Sequence, residues 1–185
     1  MKMKSKEKLQ AAAVKLFMEK GYENTTVQEI ASLAGVTERT FFRQFKDKSD
    51  VLFDTNNELG QWVAAFITDN LNIETKPLKL AVEGFVSNSE FFESSRERVL
   101  ARNQIIQSHS DLQERELLKG QVLIASITSS LSAKYDSNLS ELAARFAVEI
   151  FHMAYNKWIT NAEISLAEQL LAVYELYENS FCCVD

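Results

Sequence analysis

Apolar residues recur along most of the chain at intervals of three or four, the period that places one face of an α-helix against a core. The 185 residues include one proline and five glycines, so few positions interrupt this pattern. The pattern predicts an all-α protein of nine helices. The first helix is expected at about 4–20, the fifth from Pro77, the sixth at about 96–107 and the seventh at about 112–134.

Capping signals place several helix boundaries. Asp47 and Asp50 are expected to cap a long fourth helix that runs to about Leu71. Residues 88–95 weaken the helical pattern and predict a turn or a helix start. Asn138 with Glu141 is expected to begin the eighth helix, and Thr160 with Glu163 the ninth.

Residues 25–48 predict two short helices joined by a tight turn. Thr26 is followed by Glu29 in the spacing of a capping box, and Gly35 falls where a positive φ ends the helix. Thr37 is expected to cap the second short helix, Glu38–Phe45. With the first helix, this pair makes a three-helix head of helix-turn-helix type.

An ordinary αα-hairpin would show a similar local pattern. The second short helix favours DNA binding, because it offers hydrogen-bonding and cationic side chains outward while Phe41 and Phe45 face the core. Such side chains suit base edges and phosphates. They are Arg39, Thr40, Arg43 and Gln44.

The net charge of −6 is unevenly distributed. Residues 1–50 hold ten Lys/Arg against seven Asp/Glu, and residues 51–185 hold ten against nineteen. A basic head on an acidic body fits DNA binding confined to the head, although four lysines between residues 2 and 8 contribute much of the excess. We therefore predict a DNA-binding domain at 1–47 and a second domain at 48–185.

The head resembles the N-terminal domain of the TetR family of bacterial transcriptional regulators over about residues 5–55. Residues 93–119 are similar to one subgroup of that family, the regulators of mycofactocin systems. The head residues that carry the resemblance are Leu16–Phe17, Gly21, Thr25–Thr26–Val27, Ile30–Ala31, Ala34–Gly35–Val36–Thr37, Thr40–Phe41–Phe42, Phe45, Lys48 and Leu52.

The resemblance implies specific DNA contacts. Gln28, Arg39 and Thr40 would reach base edges, with Arg43 as a further candidate one turn later. Phe42 stands where the family usually has Tyr, and Gln44 where it often has His or Tyr, so these two contacts differ chemically from the usual ones. The positions expected at phosphates are Thr26, Thr37, Phe42, Gln44 and Lys48.

The resemblance also implies a homodimer formed by the last two helices, although in a monomer the same apolar residues would be core. The expected interface residues are Phe146, Ile150, Leu170, Leu171, Tyr174 and Tyr177. The large aromatic residues of the body are either core or the lining of an apolar effector pocket. The candidate lining residues are Trp62, Phe66, Phe85, Gln104, Tyr155 and Trp158.

Other chemistry is not expected from this sequence. His109 and His152 lack a partner at metal-ligand spacing, and no catalytic or cofactor motif is present, so we predict no metal, no cofactor and no enzymatic activity. No run of 18 apolar residues and no signal-peptide pattern occur, which predicts a cytoplasmic protein with no membrane partner. Adjacent Cys182 and Cys183 are expected to be reduced thiols.

Arginines and glutamates between residues 96 and 116 are expected to form surface ion pairs or, as an alternative, to bind an anionic effector. The leading hypothesis is a dimeric repressor on a palindromic operator, released by a small, largely apolar effector. The alternatives are a DNA-binding regulator or activator without an effector, and a helical interaction module that does not bind DNA.

Overall fold

A computed structural model describes residues 5–53 and 57–181 of the chain. Within these ranges every regular element is helical, in agreement with the predicted fold class. The α-helices are α1 Ser5–Lys20, α2 Val27–Leu33, α3 Glu38–Gln44, α4 Glu58–Asn70, α5 Pro77–Ser87, α6 Ser89–Glu93, α7 Arg96–Gln107, α8 Ser110–Leu131, α9 Ser137–Thr160 and α10 Leu166–Phe181; a 3₁₀ turn spans Ser49–Leu52.

Nine of these helices correspond to the nine predicted from the sequence. The additional helix, α6, has five residues and lies in the stretch predicted as a turn or a helix start. None of the described helices combines the length and the apolar character that a membrane span requires. Cys182 and Cys183 lie outside the described residues.

Three predicted helix starts were wrong. α4 begins at Glu58, whereas Asp47 and Asp50 lie at the 3₁₀ turn, where Asp47 Oδ1 accepts a 2.9 Å hydrogen bond from the amide of Asp50. Asp136, two residues before Asn138, caps α9 through the amides of Asn138 and Leu139. For α10 the capping pair is Ser165 and Glu168 rather than Thr160 and Glu163.

The chain divides into two compact units. The first unit comprises residues 1–56 and 96–117, and the second comprises residues 57–95 and 118–185. The domain boundary between residues 47 and 48, which was predicted to end the DNA-binding segment, remains a prediction. The unit that contains this segment also includes α7 and the beginning of α8.

The core of the first unit is built from both of its stretches. α1 contributes Leu9 and Phe17, and α3 contributes Phe41. Ile105, Ile106 and Leu112 complete the same cluster from α7 and α8. The cluster that holds the helix-turn-helix, in which α1 packs against α7, therefore includes residues more than 50 positions further along the chain.

The second unit is a helical bundle in which α5 packs against α4, α9 and α10. Pro77 occupies the first turn of α5, where its missing N–H costs no hydrogen bond. Gly84 allows the close approach of α4 and α5, because a Cβ at this position would lie 2.9 Å from the Cγ1 of Val63. Ala144, Ala147 and Leu170 are fully buried in this unit.

Candidate nucleic-acid interface

The turn between α2 and α3 has the hydrogen bonds of a Schellman motif. Gly35 has φ +69°, its amide donates to the carbonyl of Ser32, and the amide of Val36 donates to that of Ala31 at 3.0 Å. Val36 then packs against the core of the first unit. The sequence-based prediction of a positive φ at Gly35 is confirmed, and the turn fixes the direction in which α3 leaves α2.

The start of α2 is fixed by a reciprocal capping box. Thr26 Oγ1 accepts from the amide of Glu29 at 3.3 Å, and the carboxylate of Glu29 accepts from the amide of Thr26 at 2.9 Å. Lys20 of α1 binds the same carboxylate. The Lys20 hydrogen bond and those from Thr26 lower the pKa of Glu29 from 4.5 to about 2. Glu29 therefore stays ionised and ties α2 to the end of α1.

α3 buries one face and exposes the other. Phe41 and Phe45 are buried in the core of the first unit, and Phe41 contacts Phe42 edge-to-face. Arg39 and Arg43 are exposed on the opposite side. A seven-residue helix that is anchored by Phe41 and by Phe45 directly after it, and that presents two arginines outward, can enter a DNA groove.

The hydroxyl groups at the start of α3 are already partly engaged. Thr37 Oγ1 accepts from the amide of Thr40 at 3.3 Å and lies 3.1 Å from Thr40 Oγ1. One hydroxyl donates to the other in this pair, so the second keeps its proton available for an external acceptor. Of the remaining predicted contacts, Thr26, Gln28, Thr37 and Phe42 are exposed, and Thr40 and Gln44 are half-buried.

Lys48 is half-buried, and its amine binds within the first unit. Nζ donates to the carbonyl oxygens of Tyr22 at 2.8 Å and of Glu23 at 3.2 Å, and it lies 4.3 Å from the centre of the Tyr22 ring. These contacts join the loop before α2 to the segment after α3. The two hydrogen bonds use two of the three ammonium protons, and the Glu23 carboxylate lies 4.0 Å from Nζ as an ion-pair partner.

Sequence reasoning missed two arginines that hold the segment after α3. Arg102 of α7 and Arg115 of α8 bind residues 47–52, although the sequence had predicted surface ion pairs for them. Local patterns gave no signal of this arrangement, because Arg115 lies 65 residues after Asp50. Lys46, exposed at the end of α3, was also not among the predicted contacts.

In the second unit, aromatic rings pack tightly against one another. Phe85 stacks on Phe151 with 4.7 Å between ring centres, and Phe92 lies within 6.5 Å of Phe151, Tyr155 and Trp158. The structure thus brings together three of the predicted effector-lining residues, Phe85, Tyr155 and Trp158, through Phe92 and Phe151.

The other predicted lining residues lie elsewhere. Trp62 contacts Phe91 edge-to-face, and Phe66 lies beside Gly84 on the α4–α5 contact. Gln104 belongs to the first unit and is exposed. Of the six candidate lining residues, only Phe85, Tyr155 and Trp158 therefore belong to the aromatic cluster.

The predicted dimer-interface residues divide into two groups. Ile150, Leu170 and Tyr174 are buried within the single chain, whereas Phe146 and Leu171 are exposed and Tyr177 is half-buried. Leu142, Phe146 and Met153 form an exposed apolar stripe on α9. Beside this stripe lies an open groove of about 290 Å³, whose lining includes Leu139, Leu142, Phe146, Tyr174 and Tyr177.

Residues 9–55, which contain α2, the Schellman turn and α3, match the model of the family described as bacterial regulatory proteins, tetR family. Over this segment the chain belongs to the TetR family. The matched segment covers the helix-turn-helix and ends shortly after the 3₁₀ turn.

Curated relatives of this chain are named as regulators. The fatty acid metabolism regulator protein of Bacillus subtilis is 30% identical over 59% of this chain and 58% of its own length. A Mycobacterium tuberculosis protein named as the mycofactocin biosynthesis transcriptional regulator MftR is 22% identical over 89% of this chain and 84% of its own. The chain spans about half the length of the first two curated relatives that it matches.

Solved structures share the fold of the whole chain. The TetR-family transcriptional repressor FadR of Thermus thermophilus, crystallised with lauroyl-CoA, is 19% identical, covers 97% of this chain and 96% of its own, and superposes with a TM-score of 0.61. At this identity the likeness establishes the fold.

Proposed function

We propose that this TetR-family chain is a transcriptional regulator that binds a palindromic DNA operator as a homodimer. The observation that carries the proposal is α3, which buries Phe41 and Phe45 and exposes Arg39 and Arg43 after a complete helix-turn-helix turn. The regulators among its relatives support the same function. A repressor is the simplest mode, because a dimer bound over a promoter blocks transcription without a further partner.

The contacts divide by chemistry. Gln28, Arg39, Thr40 and Arg43 would bind base edges, because amide, guanidinium and hydroxyl groups match the donors and acceptors of the major groove. Thr26, Thr37, Phe42, Gln44 and Lys48 would lie at the phosphate backbone. Phe42 offers only its ring edge to a phosphate, so its contribution would come from packing against the sugar.

Operator selection from a random duplex pool is the test of this proposal. Enrichment of a two-fold symmetric site is expected. Arg43→Ala should lower affinity for that site and relax specificity at one base position, as expected when a base-edge contact is lost. Lys48→Ala should lower affinity for every duplex and reduce the salt slope by about one, because it removes a cation expected at a phosphate, and it should also loosen the contact with Tyr22.

Lys157→Ala is the matched control, because it removes one exposed positive charge from α9 in the second unit. Unchanged affinity in both Arg43→Ala and Lys48→Ala would refute the docking surface. Weak binding that enriches no site and vanishes with salt would favour the helical interaction module instead.

The dimer is proposed to form through α9 and α10. Phe146 and Leu171 are exposed apolar side chains on these helices, and contiguous exposed apolar surface commonly marks an interface. A two-fold dimer would place two copies of α3 about 34–36 Å apart or somewhat more. Buried Ile150 and Leu170 would support this surface from within each protomer.

Phe146→Glu tests the dimer, since the side chain is only partly covered within the protomer and the variant should still fold. We expect a monomer in sedimentation velocity, with operator affinity reduced at least tenfold. A variant that sediments as a dimer would place the interface elsewhere.

A small, largely apolar effector is proposed to bind at the aromatic cluster of Phe85, Phe92, Phe151, Tyr155 and Trp158. Aromatic and apolar linings are usual for ligand sites, and the similar FadR structure was crystallised with lauroyl-CoA. Acyl-CoA thioesters are therefore the first class to test, by release of the protein from its selected operator. The effector must bind the DNA-free state more tightly to cause release.

One observation favours a regulator without an effector. Phe85 and Trp158 are buried and the rings of the cluster contact one another, so the side chains fill their own space. If a panel of acyl-CoA thioesters and other apolar compounds neither raises the Tm nor releases DNA, this second candidate is preferred.

A further inference from the structure

The segment directly after α3 is folded around two carboxylates. Asp50 is 5% exposed, and its Oδ2 accepts from the amide of Lys46 at 2.9 Å. Asp47 Oδ1 accepts from the hydroxyl of Ser49 at 2.5 Å and from the amide of Asp50 at 2.9 Å. These bonds set the backbone between the last turn of α3 and the 3₁₀ turn, and a buried carboxylate such as Asp50 requires a cation beside it.

Arg115 of α8 supplies that cation. Its guanidinium donates to Asp50 Oδ1 and to Ser49 Oγ, and to Asp47 Oδ1 and Oδ2 at 3.2 and 3.3 Å. Burial by itself raises the pKa of Asp47, but hydrogen bonds from Ser49 and the Asp50 amide, together with the Arg115 charge, hold it below its ordinary value. A single side chain thus joins three residues of this segment.

Arg102 of α7 holds the other end of the segment. Its Nε donates to the carbonyl of Leu52, and its two terminal nitrogens form a bidentate pair with Glu116 at 3.0 and 2.7 Å. The guanidinium carbons of Arg102 and Arg115 lie 5.5 and 5.0 Å from the centre of the buried Phe53 ring. We call Arg102, Arg115 and Phe53 the arginine clamp.

We infer that Arg102 and Arg115 are positioning residues for DNA recognition, an inference that rests on the proposed function. They act through Asp50, Ser49 and Leu52 on the backbone that follows α3. This segment contains Lys48 and fixes the amide of Lys46, so the clamp sets how the end of α3 is presented to DNA.

The contacts argue against the alternative role of these arginines as a site for an anionic effector. The guanidinium group of Arg115 is engaged by two carboxylates, and that of Arg102 by a carboxylate and a carbonyl. An added anion would have to displace buried Asp50 from Arg115, or the bidentate carboxylate of Glu116 from Arg102.

The first readout is hydrogen exchange in the free protein. Arg115→Gln should accelerate exchange of the Lys46 and Asp50 amides at least tenfold and leave the amides of α2 unchanged. Arg98→Gln is the matched control, because it removes one exposed arginine from α7 and lowers the net charge equally. Unchanged exchange at Lys46 and Asp50 in Arg115→Gln would overturn the inference.

The second readout compares two duplexes, the selected operator and an unrelated sequence of the same length. Arg115→Gln should bind the operator at least tenfold more weakly and bind the unrelated duplex as the wild type does, since non-specific binding depends on charge rather than on placement of α3. Arg98→Gln should bind both as the wild type does. Equal losses on both duplexes would indicate a direct phosphate contact and contradict a positioning role.

Two further variants keep the test open if Arg115→Gln does not fold. Arg115→Lys retains the charge but loses the forked donors, so its operator affinity should fall between those of wild type and Arg115→Gln. Arg102→Gln should weaken operator binding and accelerate exchange near Leu52. If the wild type selects no site, the proposed function and the inference fail together. If it selects one and all clamp variants bind it normally, the inference alone fails.

Discussion

Glu29 shows how one side chain connects two helices of the DNA-binding segment. Hydrogen bonds from Lys20 and then from Thr26 lower its pKa to about 2 from 4.5. Since the pKa of Glu29 is lower in the folded state, its carboxylate stabilises the fold fully above about pH 4.5, and this stabilisation is lost as the pH falls towards 2.

We therefore expect Glu29→Gln to flatten the acid dependence of stability. Glutamine can keep the capping box but carries no charge for Lys20, so the variant should be less stable than wild type at neutral pH and approach it near pH 2. Urea unfolding across this range measures the effect. Glu19→Gln is the control, because Glu19 forms an exposed ion pair with Lys15. If wild type and Glu29→Gln showed the same dependence of stability on pH, the prediction would be contradicted.

Thr37 is the second residue-scale test. Its hydroxyl caps α3, so Thr37→Ala should lower the free energy of unfolding by about 1 kcal/mol, whereas Thr37→Ser should be nearly neutral. Urea unfolding of the two variants in parallel provides the measurement. Equal stability of the alanine and serine variants would show that the cap contributes nothing.

Residues whose partners are close in sequence were the predictable ones. Thr26, Glu29 and Gly35 act over three or four positions, so their roles could be predicted before the fold was known. Arg115 could not be placed in this way. Its partner Asp50 lies 65 residues away, and only the packing of α8 within the first unit brings them together.

At the scale of the helices, similar start signals compete. Both Thr160–Glu163 and Ser165–Glu168 have the S/T-x-x-E spacing of a capping box, and the second one begins α10. The first signal does not begin a helix, because Thr160 is the last residue of α9. The sequence therefore predicted the helix but not which of the two signals starts it.

Two helical glycines should respond oppositely to alanine. A Cβ at Gly84 would lie 2.9 Å from the Cγ1 of Val63, so Gly84→Ala should cost roughly 1–3 kcal/mol through overpacking between α4 and α5. A Cβ at Gly120 would meet only His152 at 3.9 Å, so Gly120→Ala should stabilise α8 by up to about 1 kcal/mol. Thermal and urea unfolding measure both variants. If Gly120→Ala were destabilised and Gly84→Ala as stable as wild type, the close approach of α4 and α5 at Gly84 would be contradicted.

For the molecule as a whole, the main departure from the sequence-based prediction is the composition of the first unit. The three-helix head was expected to form from about the first 45 residues, but its core also contains Ile105, Ile106 and Leu112. Helical periodicity shows that a residue faces a core, but it does not show which core. Only the fold assigns α7 and the start of α8 to the unit that contains the helix-turn-helix.

Leu112 and Leu117 of α8 test this arrangement. Leu112 is 1% exposed and Leu117 is 71% exposed. Leu112→Ala should lower the free energy of unfolding by about 2–5 kcal/mol and weaken operator binding near its Tm, while Leu117→Ala should change stability by less than about 0.5 kcal/mol. Denaturant unfolding followed by far-UV circular dichroism distinguishes them, and similar losses in both would remove Leu112 from the core.

The two-stretch construction of the first unit also limits how such a protein can exchange parts. A chimaera that joins residues 1–56 to the remainder of another regulator would meet foreign side chains where Ile105, Ile106 and Leu112 pack, and a foreign residue where Arg115 binds Asp50. A viable transplant of DNA specificity must carry residues 96–117 along with the helix-turn-helix. During evolution, substitutions in residues 1–56 and 96–117 should therefore occur together, although 39 residues of the other unit separate these stretches.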